Sequence, residues 1–185
     1  MDNTLKYNKP WILQRADPYV YKHTDGAYYF TASVPEYDRI VLRKSDTLAG
    51  LETADETEIW HKHESGPQSI HIWAPELHYL FGKWYIYYAG GDKDDIWAIR
   101  PYVFEANNVW YYIWAEKVGV GKQISNLYIA RMKNGYTLDT VQVLLTTPDY
   151  DWERHGFWVN EGPAVLKRNG KVFVTCSASD TGIHY

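Results

Sequence analysis

Hydrophobic and polar positions along this chain recur as paired short runs. An apolar stretch follows a proline. A Gly- or Asn-containing turn comes next, and a run of aromatic and β-branched residues closes the unit. Asp17-Pro18-Tyr19-Val20 leads to Gly26-Ala27-Tyr28-Tyr29-Phe30-Thr31 in this way. Trp73-Ala74-Pro75-Glu76-Leu77 leads to Gly82-Lys83-Trp84-Tyr85-Ile86-Tyr87. Pro101-Tyr102-Val103 leads through Asn107-Asn108 to Val109-Trp110-Tyr111-Tyr112-Ile113. Glu161-Gly162-Pro163-Ala164-Val165 leads to Gly170-Lys171-Val172-Phe173-Val174. Each unit reads as a β-hairpin, and helical periodicity is nearly absent. Repeated antiparallel units predict an all-β fold built as a β-propeller, with four-stranded blades around a central axis. A β-sandwich would also give hairpins, but not the recurring interval from proline to turn.

The spacing of the turns is uneven. Gly26 and Gly82 are 56 residues apart, Asn108 and Gly170 are 62 apart, but Gly82 and Asn108 are only 26 apart. A four-stranded blade needs roughly 40 residues or more. About half a blade is therefore expected to be missing between the second and third repeats. Only 15 residues follow Gly170, so the last blade is expected to be incomplete as well. The expectation is one partial propeller domain over residues 1–185.

Composition changes this picture in three ways. Aromatic residues make up 17% of the chain, with 9 Trp and 17 Tyr. Most must serve strand packing, but such rings also line sugar-binding clefts. The net charge is −4 and no basic patch is evident, so the expected partner is a neutral molecule and not nucleic acid. No apolar run is long enough to span a membrane as a helix, and membrane association is not expected. Cys176 is the one cysteine, which rules out an internal disulfide, and its strand pattern suggests packing. The first thirty residues hold no apolar signal-like region, so a cytoplasmic location is the expectation.

The candidate chemistry rests on carboxylates. Asp17 stands nine residues before Gly26, and Glu161 stands nine residues before Gly170. In a propeller, equivalent positions on different blades converge near the axis. Two carboxyl groups there could perform inverting glycoside hydrolysis: one protonates the leaving oxygen and the other activates water. Taken singly, each is an ordinary turn carboxylate. His61-Lys62-His63, with His71, raises a metal site as an alternative, although the Glu64-Ser65-Gly66-Pro67 turn beside the pair argues for a polar edge. Asp92-Lys93-Asp94-Asp95 reads as a solvated loop. Gly119-Val120-Gly121-Lys122 lacks the strand-to-helix context of a phosphate loop.

Three ordered motifs resemble glycoside hydrolase family 43, and the resemblance covers nearly the whole chain. Ala16-Asp17-Pro18-Tyr19-Val20-Tyr21 is similar to the family's opening motif. His71-Ile72-Trp73-Ala74-Pro75-Glu76 is similar to its His-x-Trp-Ala-Pro-Glu motif, and Trp158-Val159-Asn160-Glu161-Gly162-Pro163 to its Glu-Gly-Pro motif. The resemblance implies a five-bladed propeller and an inverting mechanism with Asp17 as general base and Glu161 as general acid. It implies that Trp73, His71 and Trp158 contact the sugar. It also implies that the substrate is an arabinose- or xylose-containing oligosaccharide, with α-L-arabinofuranosides favoured by the run Ser33–Ile40. No cofactor is implied as a requirement, although the family leaves room for a structural calcium at the propeller axis. The family also uses a third carboxylate, an Asp before the turn of a middle blade. The matching positions here hold Ile99 and Arg100, while Asp94, Asp95 and Glu105 lie out of register. A catalytically defective, sugar-binding propeller is therefore the alternative expectation.

Overall fold

A computed structural model describes residues 10–93, 101–118 and 124–180. Thirteen β-strands and two short 3-10 turns account for the regular structure among them. The first sheet is a complete blade in the order β1 (Ala16–Lys22), β2 (Tyr28–Ser33), β3 (Arg39–Ser45) and β4 (Glu56–His61), antiparallel throughout. The second contains only the hairpin of β5 (Ile70–Leu80) and β6 (Lys83–Gly91). The third combines β7 (Pro101–Ala106), β8 (Val109–Val118) and β9 (Ile124–Asn134). The short β10 (Thr137–Leu138) and β11 (Val143–Thr146) pair with β9. β12 (Trp158–Arg168) and β13 (Lys171–Ala178) form the last hairpin. Residues Trp158 and Val159 of β12 pair in parallel with Ile124 and Ser125 of β9, stitching this hairpin to the third blade.

The hairpin turns explain the glycine and asparagine positions. Three of the four inner hairpins close with two residues, Phe81-Gly82, Asn107-Asn108 and Asn169-Gly170. Both residues of each pair have positive φ, the type I′ geometry that matches strand twist. The first hairpin needs five residues between Lys22 and Tyr28, with Gly26 at φ +88°. The turn anchors expected from the repeats are thus borne out, and so is the half-blade: among the described residues the second sheet has two strands where the first has four.

Apolar residues fill the spaces between neighbouring blades. Phe30, Ala32 and Leu51 form one cluster, with Ile12 and Tyr28 against it. Leu80, Val103 and Met132 form another, which joins the β5–β6 hairpin to the third blade through Tyr85, Tyr87, Trp110 and Tyr112. A charged fork closes the first blade: Arg15 and Arg43 both donate to Glu56. The last hairpin is different. Leu166, Val172, Phe173 and Val174 are all exposed. Cys176, expected to pack, is exposed on the same hairpin.

Candidate active site

One irregularity is repeated on three inner strands. Ala16 pairs with Ser33 and Tyr19 with Thr31, so Asp17 and Pro18 oppose a single residue. Trp73 pairs with Ala89 and Glu76 with Tyr87, leaving Ala74 and Pro75 against one residue. Glu161 pairs with Ser177 and Ala164 with Thr175, leaving Gly162 and Pro163. Each is a two-against-one bulge, and in each the residue before proline has positive φ: Asp17 at 48°, Ala74 at 48° and Gly162 at 56°. A proline supplies no ladder N–H, so a bulge is where a sheet tolerates it. Bulges also bend a strand and re-aim its side chains.

The bulges refine the register read from the glycines. Asp17 lies inside its bulge, whereas Glu161 is the last paired residue before its own. By ladder position Glu161 matches Ala16 and Trp73. The longer first turn hides this one-residue offset in the sequence. By the same count Arg100 precedes its proline just as Asp17 does.

Asp17 is half-buried, and its Oδ2 accepts a hydrogen bond of 3.0 Å from the Ser33 hydroxyl. The Ala74 amide donates to the same Ser33 oxygen at 2.7 Å. This link crosses from the first blade to the second and brings the Trp73-Ala74 segment beside Asp17. Trp73 is half-buried between Tyr37, edge-on at 5.5 Å, and His71 at 4.8 Å. Tyr37 is held by its own turn, which ends when the Ile72 amide donates to the Tyr37 carbonyl. Ser33 and Tyr37 lie in the run Ser33–Ile40 that carries the arabinofuranoside resemblance, but neither had a role of its own in the sequence reading. His71 sits at φ +54°, with its Nδ1 buried and without a hydrogen-bond partner.

Glu161 and Trp158 are half-buried at the start of β12. Arg154 lies 4.4 Å over the Trp158 ring, a cation–π contact. Between them Asn160 is fully buried and donates to Thr146 Oγ1, while its carbonyl accepts from Ser125. These bonds anchor β12 to the outer part of the third blade.

A belt of polar aromatic residues runs across the inner strands. Tyr19 Oη on β1 lies 3.5 Å from His78 Nδ1 on β5. His78 Nε2 is 3.1 Å from Glu76 Oε2. Glu76 is close enough to Tyr102 on β7 and Tyr112 on β8 to raise both their pKa values, after the larger effect of burial. Tyr102 in turn bonds the Val165 backbone of β12. Burial pushes the Tyr19 hydroxyl far up and His78 down to about 4. Tyr19 therefore keeps its proton and points it at Nδ1, and a neutral His78 donates from Nε2 to Glu76. Asp17, Trp73 and Glu161 stand two, five and four residues ahead of their strands' members of this belt. Each thus precedes the belt on its own strand.

Other candidates are occupied elsewhere. Glu105 caps the Asn108 amide and faces Lys167, at the turn end of β7, about 13 Å along the strand from Pro101 at 3.3 Å per residue. His61 Nδ1 is 3.2 Å from Glu58 and His63 Nδ1 is 2.9 Å from the Pro67 carbonyl. No three His, Cys, Asp or Glu side chains among the described residues converge as metal ligands. Asp94, Asp95, Ile99, Arg100 and residues 119–122 lie outside the described residues.

Propeller blades with inner-strand bulges that carry Asp-Pro and Glu-Gly-Pro define a class, and comparison confirms it. The chain belongs to Glycosyl hydrolases family 43, whose model matches residues 7–108 and 92–185. It is 44% identical to an extracellular exo-α-(1→5)-L-arabinofuranosidase of Streptomyces chartreusis, with 97% of this chain and 64% of that protein covered. It is 43% identical to the protein of the same name from Streptomyces avermitilis, with 98% of this chain and 44% of that protein covered. The solved α-L-arabinofuranosidase from Lactobacillus brevis superposes with a TM-score of 0.83 at 46% identity, with 94% of this chain and 66% of that chain covered. The chain spans less than two thirds of these relatives. The first match extends over 211 residues, more than the 185 of this chain. The relative thus carries residues with no counterpart here, and the two family-model matches meet at residues 92–108, where the half-blade is missing. Both Streptomyces relatives are named extracellular, which overturns the expected cytoplasmic location. The lack of an apolar run in the first thirty residues is no guide to where the protein acts.

Proposed function

We propose that the protein acts as an α-L-arabinofuranosidase that removes terminal arabinofuranosyl groups from plant cell-wall oligosaccharides, with β-xylosides as the secondary substrate class. The single observation that supports this reading is the repeated proline bulge, with Asp17 inside the bulge of β1 and Glu161 immediately before that of β12. In the proposed reaction Asp17, ionised, takes a proton from water as the water oxygen attacks the anomeric carbon. Glu161, protonated, gives its proton to the leaving oxygen as the glycosidic bond breaks. The product is the sugar of inverted configuration. Trp73 offers a ring face to the furanose, and His71 and Trp158 flank it. The unpartnered Nδ1 of His71 supports a hydrogen bond to a sugar hydroxyl. The reaction uses no cofactor, nucleic acid or membrane, and residues 1–185 act as one partial propeller domain.

A second reading is favoured by one specific residue. Arg100 occupies the position before proline where the family resemblance calls for the third carboxylate. A cation there favours ionised Glu161 and removes the proton that the general acid must supply. On this reading the chain binds arabinose oligosaccharides without turnover.

Hydrolysis of an aryl α-L-arabinofuranoside, with the product anomer followed by NMR, tests the first reading. Calorimetric titration with arabino-oligosaccharides tests the second. Turnover that releases the inverted sugar supports the enzyme, and binding without turnover supports the defective propeller. Neither turnover nor binding would reject both.

A further inference from the structure

We propose that Ser33 is the positioning residue of Asp17, and that the second blade sets the direction of its hydroxyl. The inference rests on the reading of Asp17 as general base. Ser33 ends β2 and is almost fully buried, with 2% of its surface exposed. A serine hydroxyl carries one proton and can rotate freely about its Cβ–Oγ bond. Here that freedom is removed. The Ala74 amide donates to Ser33 Oγ at 2.7 Å, so this side of the oxygen is an acceptor. Asp17 Oδ2 lies 3.0 Å away. A carboxylate oxygen can only accept, so the Ser33 proton must point at it.

The backbone makes this contact matter. Asp17 is at φ +48° in a bulge, a region that aspartate visits more readily than most residues but in which its side chain needs fixing. Ala74, the donor on the other side, is itself the positive-φ residue of the second bulge. One hydroxyl therefore joins two strained positions on two blades. Docking of the blades thus fixes the direction of the hydroxyl from which Asp17 accepts. A base displaced by about 1 Å loses on the order of 10²-fold in rate, because attack geometry governs the barrier.

The test compares wild type with Ser33→Ala, which removes the hydroxyl, and Ser33→Thr, which keeps it. Ser33→Cys, which keeps the volume and donates weakly, replaces the alanine variant if that does not fold. Crystal structures give the readout that is independent of activity. The Asp17 carboxylate is expected to leave its position in Ser33→Ala and to hold it in Ser33→Thr. An unmoved carboxylate in Ser33→Ala overturns the proposal. On an aryl arabinofuranoside, kcat is expected to fall about 10–100-fold in Ser33→Ala with KM within about threefold. Ser33→Thr should recover it, and Ser33→Ala should cost nothing further in an Asp17→Asn background. Where the wild type turns over, equal kcat in wild type and Ser33→Ala also overturns the proposal. If the wild type shows no turnover but the carboxylate still moves in Ser33→Ala, Ser33 remains the positioning residue and the enzymatic reading alone is rejected.

Discussion

His78 and Glu76 lie side by side on β5, both buried, with Nε2 and Oε2 3.1 Å apart, and the pair behaves as a neutral imidazole against a carboxylate. Tyr19 approaches the far side of the ring, with Tyr87 and Tyr102 edge-on beyond. Burial lowers His78 from its ordinary 6.5 to about 4. The unfolded chain then binds a proton that the folded chain refuses. The stability contributed by neutral His78 is present above pH 6.5 and is lost as pH falls toward 4. Urea unfolding of wild type and His78→Gln should show a stability gap that narrows by about 2 kcal/mol between pH 7.5 and pH 4.5. A gap that stays constant would reject this account.

Glu56 holds the first blade through two arginines. Burial alone would raise its carboxyl, but hydrogen bonds from Arg15 and Arg43 outweigh that and hold it below the usual range. Its contribution is therefore present above the ordinary glutamate value and fades as pH falls through the lower folded one. Glu56→Gln should cost about 2–3 kcal/mol near neutral pH, the worth of charge-assisted bonds plus two guanidinium groups left short of a partner. Chemical denaturation at pH 7 measures this, and a loss below about 0.5 kcal/mol would class the fork as an exposed pair.

If Asp17 and Glu161 serve as base and acid, their carboxyl groups should stand about 6.5–9.5 Å apart, with room for water. A crystal structure with arabinose bound measures the distance. Asp17→Asn and Glu161→Gln should each lower kcat at least about 10²-fold. Carboxyl groups on opposite faces of the fold would end the assignment.

Restoring the missing half-blade together with Arg100→Asp should raise turnover on an aryl arabinofuranoside about 10²–10⁴-fold, the usual contribution of a general acid. The shortened chain should also be the more prone to aggregate, since its second sheet has only two strands among the described residues and unpaired edges invite association. Light scattering reports the aggregation and steady-state kinetics the turnover. Equal turnover by the two forms would mean that another carboxylate fills the third role. Glu105 is held at the far turn, so Asp94 and Asp95 would be the candidates to replace next.

Trp73→Ala should weaken binding of arabino-oligosaccharides about tenfold, with the loss coming from ring-face contact. Because Trp73 is half-buried against Tyr37 and His71, a circular dichroism spectrum must first show that the variant folds. Unchanged affinity in a folded variant would make Trp73 a packing residue.

Local features of this protein were legible in the amino-acid sequence. The two-residue turns at Gly82, Asn108 and Gly170 were readable because positive φ demands Gly or Asn there. The propeller class and the half-blade gap followed from the spacing of those turns. Asp17 and Glu161 stood out as candidates because one precedes a Pro and the other a Gly-Pro in a repeated frame. The bulges were not readable as such, because a one-residue offset is a property of two paired strands and not of one. That offset separates Asp17 from Glu161 in register despite equal spacing to their glycines. The roles of Ser33, Tyr37 and the Glu76–His78 pair were not readable for the same reason: they lie in contacts between blades, Ser33 with Ala74, Tyr37 with Trp73 and His78 with Tyr19. Turn chemistry is decided within a few residues of chain. The Ser33 hydroxyl that meets the Asp17 carboxylate is oriented by an amide 41 residues further along the chain, and only packing of one blade on the next brings that amide within hydrogen-bond distance.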